Sequence, residues 1–237
     1  MKGLIDVVFP RVCLACRQPA KEALLIDNLI CAQCWGKIKK NPPPFCHCCG
    51  KHLKGKHLVK NICGQCLKGK LHFDRAFSPC LYEGVAKELI HQFKYKNKEH
   101  LGRPLSRLMI EFIREYNVPM EYVDVIVPVP LHKSRLYERE FNQAHVLSKP
   151  IAEEFGKRVL ADVLIRHRRT KTQTDLEERE RFLNVQGSFS IVDRKKINGA
   201  NCLLIDDVLT TGATASEAAS VLKNAGAHIV FVLTLVN

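Results

Sequence analysis

Two groups of residues in this 237-residue chain have the types and spacing needed for chemistry. One is the stretch LLIDDVLTTGAT, residues 203–214, where an apolar run meets Asp206 and Asp207 and gives way to Thr210, Thr211, Gly212, Ala213 and Thr214. Small residues let backbone N–H groups approach a bound anion closely, and a helix starting there adds positive potential, so the turn suits phosphate. Adjacent carboxylates do not bind phosphate themselves. They suit vicinal hydroxyls, which donate hydrogen bonds, or a divalent cation. Carboxylates beside a phosphate cradle together describe a ribose 5-phosphate. The spacing Thr214-x-x-Glu217 predicts a capping box at the start of the following helix.

The other group is cysteine. Ten of the eleven cysteines lie between Cys13 and Cys80; only Cys202 lies outside. Cys13-x-x-Cys16 is followed by Cys31-x-x-Cys34, and Cys46-x-x-Cys49 by Cys63-x-x-Cys66. A C-x-x-C knuckle turns two thiolates toward one point, and two knuckles complete the tetrahedral sulfur shell of a structural Zn²⁺. Two zinc sites are therefore expected. Sequential pairing is the simplest arrangement, interleaved pairing has the same spacing, and Cys48 could stand in for Cys46 or Cys49. Few bulky apolar residues surround the knuckles, so metal binding is expected to supply much of the module's folding free energy.

Charge follows the same asymmetry. Residues 1–80 carry 14 Lys and Arg against 4 Asp and Glu, whereas residues 81–237 carry 23 against 20. A basic zinc module points to nucleic acid. Each Zn²⁺ with four thiolates is formally −2, however, which lowers the module from +10 to about +6. Lys37, Lys39 and Lys40 in WGKIKKNPPPF are the local candidates for phosphate contact. Trp35 and Phe45 beside them either stack on bases or form a small core on the knuckle.

These groups need elements to position them. VDVIVPVP, CLLIDDV and HIVFVLTLV are short, branched and apolar without alternation, as in strands buried on both faces of a parallel sheet. ELIHQFKYK, HLGRPLSRLMIEFIREY and residues 144–155 and 214–225 have helical spacing. The order is β-α-β, so the fold class is α/β with helices on both sheet faces, residues 76–237, preceded by a double zinc ribbon, residues 1–75. No apolar run approaches the ~18–20 residues of a membrane span, and Asp6 and Pro10 interrupt the first apolar patch, so a cytoplasmic location is expected.

LLIDDVLTTGAT resembles the 5-phosphoribosyl-1-pyrophosphate (PRPP) loop of type I phosphoribosyltransferases. Nearly the whole chain is similar to the ComF family of bacterial competence proteins, through the paired knuckles, HQFKYK, VPVPLHKSRLYEREFNQA and RHRRTKTQTDLEERERFLNVQGSF. The resemblance implies that Asp206 and Asp207 hold the ribose hydroxyls and that residues 210–214 bind the 5-phosphate. It places the pyrophosphate near residues 130–135, with Lys133 and Arg135 as donors, and implies Mg²⁺ bound with PRPP. It maps a mobile lid to residues 166–173, where Arg166, Arg168, Arg169 and Lys171 would neutralise a departing pyrophosphate. One departure stands out: the family commonly reads R-G-F-N-Q, and Glu140 holds the glycine's place. If that position has positive φ, Glu140 is strained.

Two function classes follow. The resemblance implies a DNA-handling factor of natural transformation, acting with a helicase and other uptake proteins at the inner face of the membrane, with PRPP as ligand and single-stranded DNA on the zinc module. The alternative is an enzyme of nucleotide metabolism that transfers ribose 5-phosphate from PRPP to an acceptor chosen by a hood around residues 77–98. No glutaminase domain precedes the core, so ammonia release from glutamine is not expected.

Overall fold

The structure, a computed structural model, describes residues 11–19, 25–53, 61–69, 71–95, 98–170 and 177–237. Five strands form one parallel sheet: β3 (Arg75–Phe77), β4 (Val125–Pro128), β5 (Arg158–Val159), β8 (Asn201–Val208) and β9 (Ile229–Val236), in the order β3-β9-β8-β4-β5. The runs that lacked alternation are the three central strands, and their side chains divide between two cores. Leu203 and Ile205 of β8 pack on one face, Cys202 and Leu204 on the other; Leu233 and Leu235 of β9 oppose Val230 and Val232 in the same way. A strand apolar on both sides needs cover on both sides.

The first face is covered by α3 (Gly84–Tyr95), α4 (Gly102–Glu115) and α6 (Gln143–Phe155). The second is covered by α8 (Ala213–Asn224), α7 (Glu178–Val185) and a hairpin of β6 (Leu164–Arg166) with β7 (Phe189–Ile191). The short helix α5 (Lys133–Arg139) follows β4. It ends on Glu140, whose φ of 67° is left-handed, so the position where the family motif has glycine carries the strain expected of a side chain there.

Each zinc ribbon joins a different core layer. The first contributes the small hairpin β1 (Leu25–Ile26) with β2 (Ile30–Cys31) and the one-turn helix α1 (Ala32–Gly36); Cys13, Leu25, Ile30, Cys34 and Ile38 are buried with α3 and α4. The second includes α2 (Gly64–Lys68), and its Cys46, Cys49 and Leu53 share a core with α8. Trp35 is half-buried against the first layer, and Phe45 packs edge-on to Phe112 and Tyr116 at centroid distances of 5.7 and 5.0 Å. The two aromatics are thus partly buried against the core rather than open stacking faces. Among the described residues no helix is long and apolar enough to cross a membrane.

Candidate functional site: an arginine-lined cavity and two cysteine clusters

Strands β4 and β8 are neighbours, yet the chain leaves β4 toward the edge strand β5 and leaves β8 toward β9 on the opposite side. This divergence opens a crevice at the carboxyl ends of the two strands, the usual ligand position in open α/β sheets. A cavity of about 390 Å³ lies there. Val129, Pro130 and Leu131 after β4 form one side, and Asp206, Asp207, Thr210 and Thr214 form the other.

Asp206 and Asp207 lie within β8, which continues to Val208. Alternation along a strand sends consecutive side chains to opposite faces. Asp207 is buried and ion-paired at 2.8 Å with Lys94 in the last turn of α3. Asp206 accepts the amide N–H of Asp207 at 2.9 Å. Burial pushes the Asp206 carboxyl up from 3.8 to about 7, and the charge on Asp207 adds to this, while Lys94 and Arg166 oppose it.

Four guanidinium groups line the same cavity: Arg135 and Arg139 from α5, Arg166 at the end of β6 and Arg181 from α7. Arg139 is buried; it donates to Gln143 Oε1 at 3.1 Å and stacks 5.3 Å from the Tyr95 ring. Arg166 donates to Thr170 Oγ1 at 2.6 Å, but its buried Nε has no hydrogen-bond partner among the described residues. Burial, with the charges on Arg135, Arg139 and Arg168, lowers the Arg166 pKa from its ordinary value, and Asp206 opposes the shift. Packing several cations together with an unpaired buried donor is costly unless an anion joins them.

The phosphate-type turn leads into α8, whose N-cap is Gly212 at φ 80°. Thr211 Oγ1 accepts the Ala213 N–H at 3.4 Å, and Ala213 is buried. The expected capping box from Thr214 to Glu217 is not formed. Gly212 is the N-cap and Thr214 is already the second residue of the helix, and Glu217 instead accepts the N–H of Gly187, at 2.6 Å. Thr210 and Thr214 line the cavity, and Thr210 with Thr211 and Gly212 also lines a second cavity on the zinc-ribbon side.

Other expected donors lie elsewhere. Lys133 is exposed at the start of α5 and is not among the residues lining the cavity. Arg168 donates to the carbonyls of Asn184, at 3.1 Å, and Gln186 at the end of α7. Arg169 pairs with Glu138 at 3.5 Å. Lys171 and Gln173 of the expected lid fall outside the described residues. Sequence reading missed Lys94, Arg139 and Arg181, together with the aromatic wall of Tyr82, His91 and Tyr95. A signal existed for α3: His91, Lys94 and Tyr95 share the helix face opposite Leu89, Ile90 and Phe93, so a polar stripe points away from the core.

The cysteines form two clusters, Cys13, Cys16, Cys31 and Cys34, and Cys46, Cys49, Cys63 and Cys66, each with all sulfurs within 4.8 Å of one another. Pairing is sequential. A tetrahedral Zn–S shell requires sulfurs about 3.8 Å apart; Cys49 and Cys63 are at 3.7 Å, Cys16 and Cys31 at 4.0 Å. Amides of Cys31, Cys34 and Cys63 donate to Cys13, Cys31 and Cys46 sulfurs at 3.3, 3.4 and 3.3 Å, the bonds that stabilise thiolate ligands. Both clusters fit a structural zinc. Cys48 lies outside them, and Cys80 is fully buried, its thiol pushed up to about 12 by burial.

Two parts of the chain match known families separately: residues 4–67 match the double zinc ribbon domain and residues 142–237 the phosphoribosyl transferase domain. The molecule is therefore a zinc-ribbon protein built on a phosphoribosyltransferase fold. Competence protein F of Haemophilus influenzae is 30% identical over 90% of this chain and 91% of its own. DNA utilization protein YhgH of Escherichia coli is 30% identical over 95% and 96%. Competence protein ComFC of Bacillus subtilis is 31% identical over 84% and 80%. The chain belongs to the ComF family. Among solved structures, glutamine PRPP amidotransferase from B. subtilis, complexed with ADP and GMP, is similar at a TM-score of 0.34 and 23% identity, over 59% of this chain and only 26% of that one.

Proposed function

We propose that the cavity between β4 and β8 binds PRPP and that the protein serves DNA uptake and use in natural transformation, with its zinc ribbons contacting single-stranded DNA or an uptake helicase. The charge layout of the cavity carries this reading. Lys94 and four arginines against Asp206 and Asp207 leave three net positive charges in one crevice. PRPP carries roughly five negative charges, about two on its 5-phosphate and about three on its pyrophosphate, so one Mg²⁺ would complete the balance.

In this reading residues 210–214 hold the 5-phosphate through backbone N–H groups and the hydroxyls of Thr210 and Thr214, and Asp206 and Asp207 receive the ribose hydroxyls. Arg135, Arg139, Arg166 and Arg181 face the pyrophosphate, and the unpaired Nε of Arg166 gains its acceptor. Arg168 and Arg169 are positioning residues: one holds the end of α7, which carries Arg181, and the other holds α5, which carries Arg135 and Arg139. The two aspartates offer oxygen donors that fit Mg²⁺, which when bound neutralises pyrophosphate charge. Calorimetric titration tests the reading. PRPP with Mg²⁺ should bind the native chain, and the folded Asp206→Asn, Asp207→Asn double variant should lose about one to two decades of affinity per contact. Unchanged affinity in that variant removes the hypothesis.

The DNA contact rests on charge and on the names of the relatives. Lys37, Lys39 and Lys40 are exposed, although Lys39 lies 2.9 Å from Glu83 and Lys40 lies 4.0 Å from Glu111, which reduces what they offer a phosphate. With Trp35 and Phe45 packed against the core, contact would be to phosphates with little base preference. Single-stranded DNA affinity should fall with salt at a log–log slope near −0.7 per phosphate neutralised, and the triple lysine-to-alanine variant should reduce the slope. Absence of any salt-sensitive affinity at low ionic strength would assign the basic surface to a protein partner. A second reading, phosphoribosyl transfer to an acceptor, is favoured by the wall of Tyr82, His91 and Tyr95, whose rings suit a planar base. Pyrophosphate release with candidate bases, amines and nucleic acids decides it.

A further inference from the structure

The second cysteine cluster and the phosphate-type loop are built into one another. Knuckle Cys46-x-x-Cys49 lies against strand β3: the Ala76 N–H donates to the Cys48 carbonyl at 2.7 Å, and Gly50, at φ 70°, approaches so closely that a Cβ there would sit 2.4 Å from the Ala76 carbonyl oxygen. Asn41, itself buried, donates to the carbonyls of Gly50 at 2.8 Å and Ser78 at 2.9 Å, binding the knuckle to the strand from the side. The other knuckle ends at Cys66, and a few residues later the chain passes directly under the loop.

There, Leu71 and Phe73 occupy the space in front of Gly212: a Cβ on Gly212 would meet Leu71 Cδ2 at 3.4 Å and the Phe73 ring at 3.6 Å. His72 is bound to the first turn of α8, with its N–H donating to Ser216 Oγ at 3.1 Å and its Nδ1 3.0 Å from the same oxygen. The Ser216 N–H in turn donates to the Gly212 carbonyl at 2.7 Å. Asp74 accepts the N–H of Val230 and pairs with Lys223 near the end of α8, both at 2.7 Å. Segment 71–74 therefore holds both ends of α8 and the left-handed glycine that starts it. Between cluster and loop lies a cavity of about 420 Å³ whose walls include Cys49 and Cys66 on one side and Thr210, Thr211 and Gly212 on the other. The first cluster has no such connection among the described residues. It packs on α3 and α4, where Gln92 donates to the Leu14 carbonyl and Arg17 lies 3.7 Å from Glu88.

We propose that the second zinc site, through Leu71, His72 and Phe73, positions the 5-phosphate loop, so that metal at Cys46, Cys49, Cys63 and Cys66 and a 5-phosphate at residues 210–214 each strengthen binding of the other. This rests on the reading of residues 210–214 as the 5-phosphate cradle. Linkage of this kind is reciprocal. A loop held at a left-handed glycine presents its N–H groups only while the packing in front of that glycine is intact. Loss of the support therefore weakens the phosphate end of a ligand and leaves the pyrophosphate end, at Arg135 and Arg166, untouched.

The experiment uses the full chain with three ligands: PRPP, ribose 5-phosphate and inorganic pyrophosphate. Phe73→Ala, checked to retain both zinc ions, should weaken PRPP and ribose 5-phosphate alike, by about tenfold, and leave pyrophosphate affinity unchanged; Phe73→Leu should restore most of the loss. Equal weakening of all three ligands, or of none, overturns the proposal. Reciprocity is read with a chelator in a Cys13→Ser, Cys16→Ser variant, whose remaining zinc is the second site's: ribose 5-phosphate should slow its release several-fold. Amide exchange over residues 209–216 separates the two hypotheses. If native protein binds none of the ligands, the PRPP reading fails. The coupling then stands only if loss of the second zinc, but not the first, raises exchange in this loop.

Discussion

Lys94 Nζ lies 2.8 Å from a carboxylate oxygen of Asp207, joining the last turn of α3 to the end of β8 with both side chains largely shielded from water. Their side-chain exposures are 18% and 11%, so the attraction is little screened and removing either partner strands the other. Lys94→Met is expected to destabilise the zinc-loaded protein by about 2–3 kcal/mol. A double-mutant cycle with Asp207→Asn, followed by urea denaturation, should give a coupling of about 1–3 kcal/mol. Strictly additive single effects would show that the pair contributes nothing.

Asp206 makes the site sensitive to pH. Its carboxyl is raised from 3.8 to about 7 in the folded protein, so between those values the folded state holds a proton that the unfolded state has released. Stability from this group is accordingly present at low pH and declines as pH rises from about 4 to about 7. Binding of ribose hydroxyls asks for the ionised form. PRPP affinity should climb by roughly tenfold per pH unit below about 7 and level off above it. The ligand's own phosphate ionisation persists in Asp206→Asn, so the difference between the two profiles isolates this carboxyl; identical profiles would refute the assignment.

Glu140 offers a simple stability test. It holds a φ of 67° at the end of α5, a conformation glycine adopts freely and a side chain resists. Glu140→Gly removes that resistance but adds backbone freedom to the unfolded chain, leaving a net gain of roughly 0.5–1 kcal/mol. The urea midpoint should rise. A fall would mean that the Glu140 side chain makes a contribution larger than its strain.

Metal content is the most direct measurement. Freshly purified, reduced protein should carry about two zinc ions per chain. The Cys13→Ser, Cys16→Ser variant should carry one, and less than about one in the native chain would refute the tetrathiolate assignment.

The central strands were legible because a sheet covered on both faces leaves unbroken apolar runs, and Cys202 to Ile205 is such a run. The cysteine clusters were legible because each C-x-x-C turn brings two thiolates to one point, while the choice of sequential over interleaved pairing, and of Cys46 and Cys49 over Cys48, came from the structure. The cation set was less so. Arg166, Arg168 and Arg169 looked suited to pyrophosphate by composition; Arg166 does line the cavity, joined by Arg181, but tertiary contacts gave the Arg168 and Arg169 guanidinium groups to the end of α7 and to Glu138. The capping box failed for a similar local reason: the left-handed Gly212 starts α8 earlier, so Thr214 is already inside the helix. Pairing of β3 with β9 was invisible, since three residues between long loops carry almost no periodic signal.

That last pairing bears on the order in which the molecule assembles. Ala76 faces Val232 across the sheet, and Ser78 Oγ meets Thr234 Oγ1 at 2.6 Å, a contact 156 residues apart in the chain. Closing a loop of that length precedes any gain from the contact, and topologies dominated by distant pairings fold slowly. On a ribosome, β3 and the knuckle resting on it are made early, but β3 has no strand partner until β9 is made. During synthesis the second knuckle pair is therefore exposed for longer than the first, which binds a helix only a few tens of residues downstream. A chaperone or a zinc supply acting during translation would have its largest effect on that half of the module.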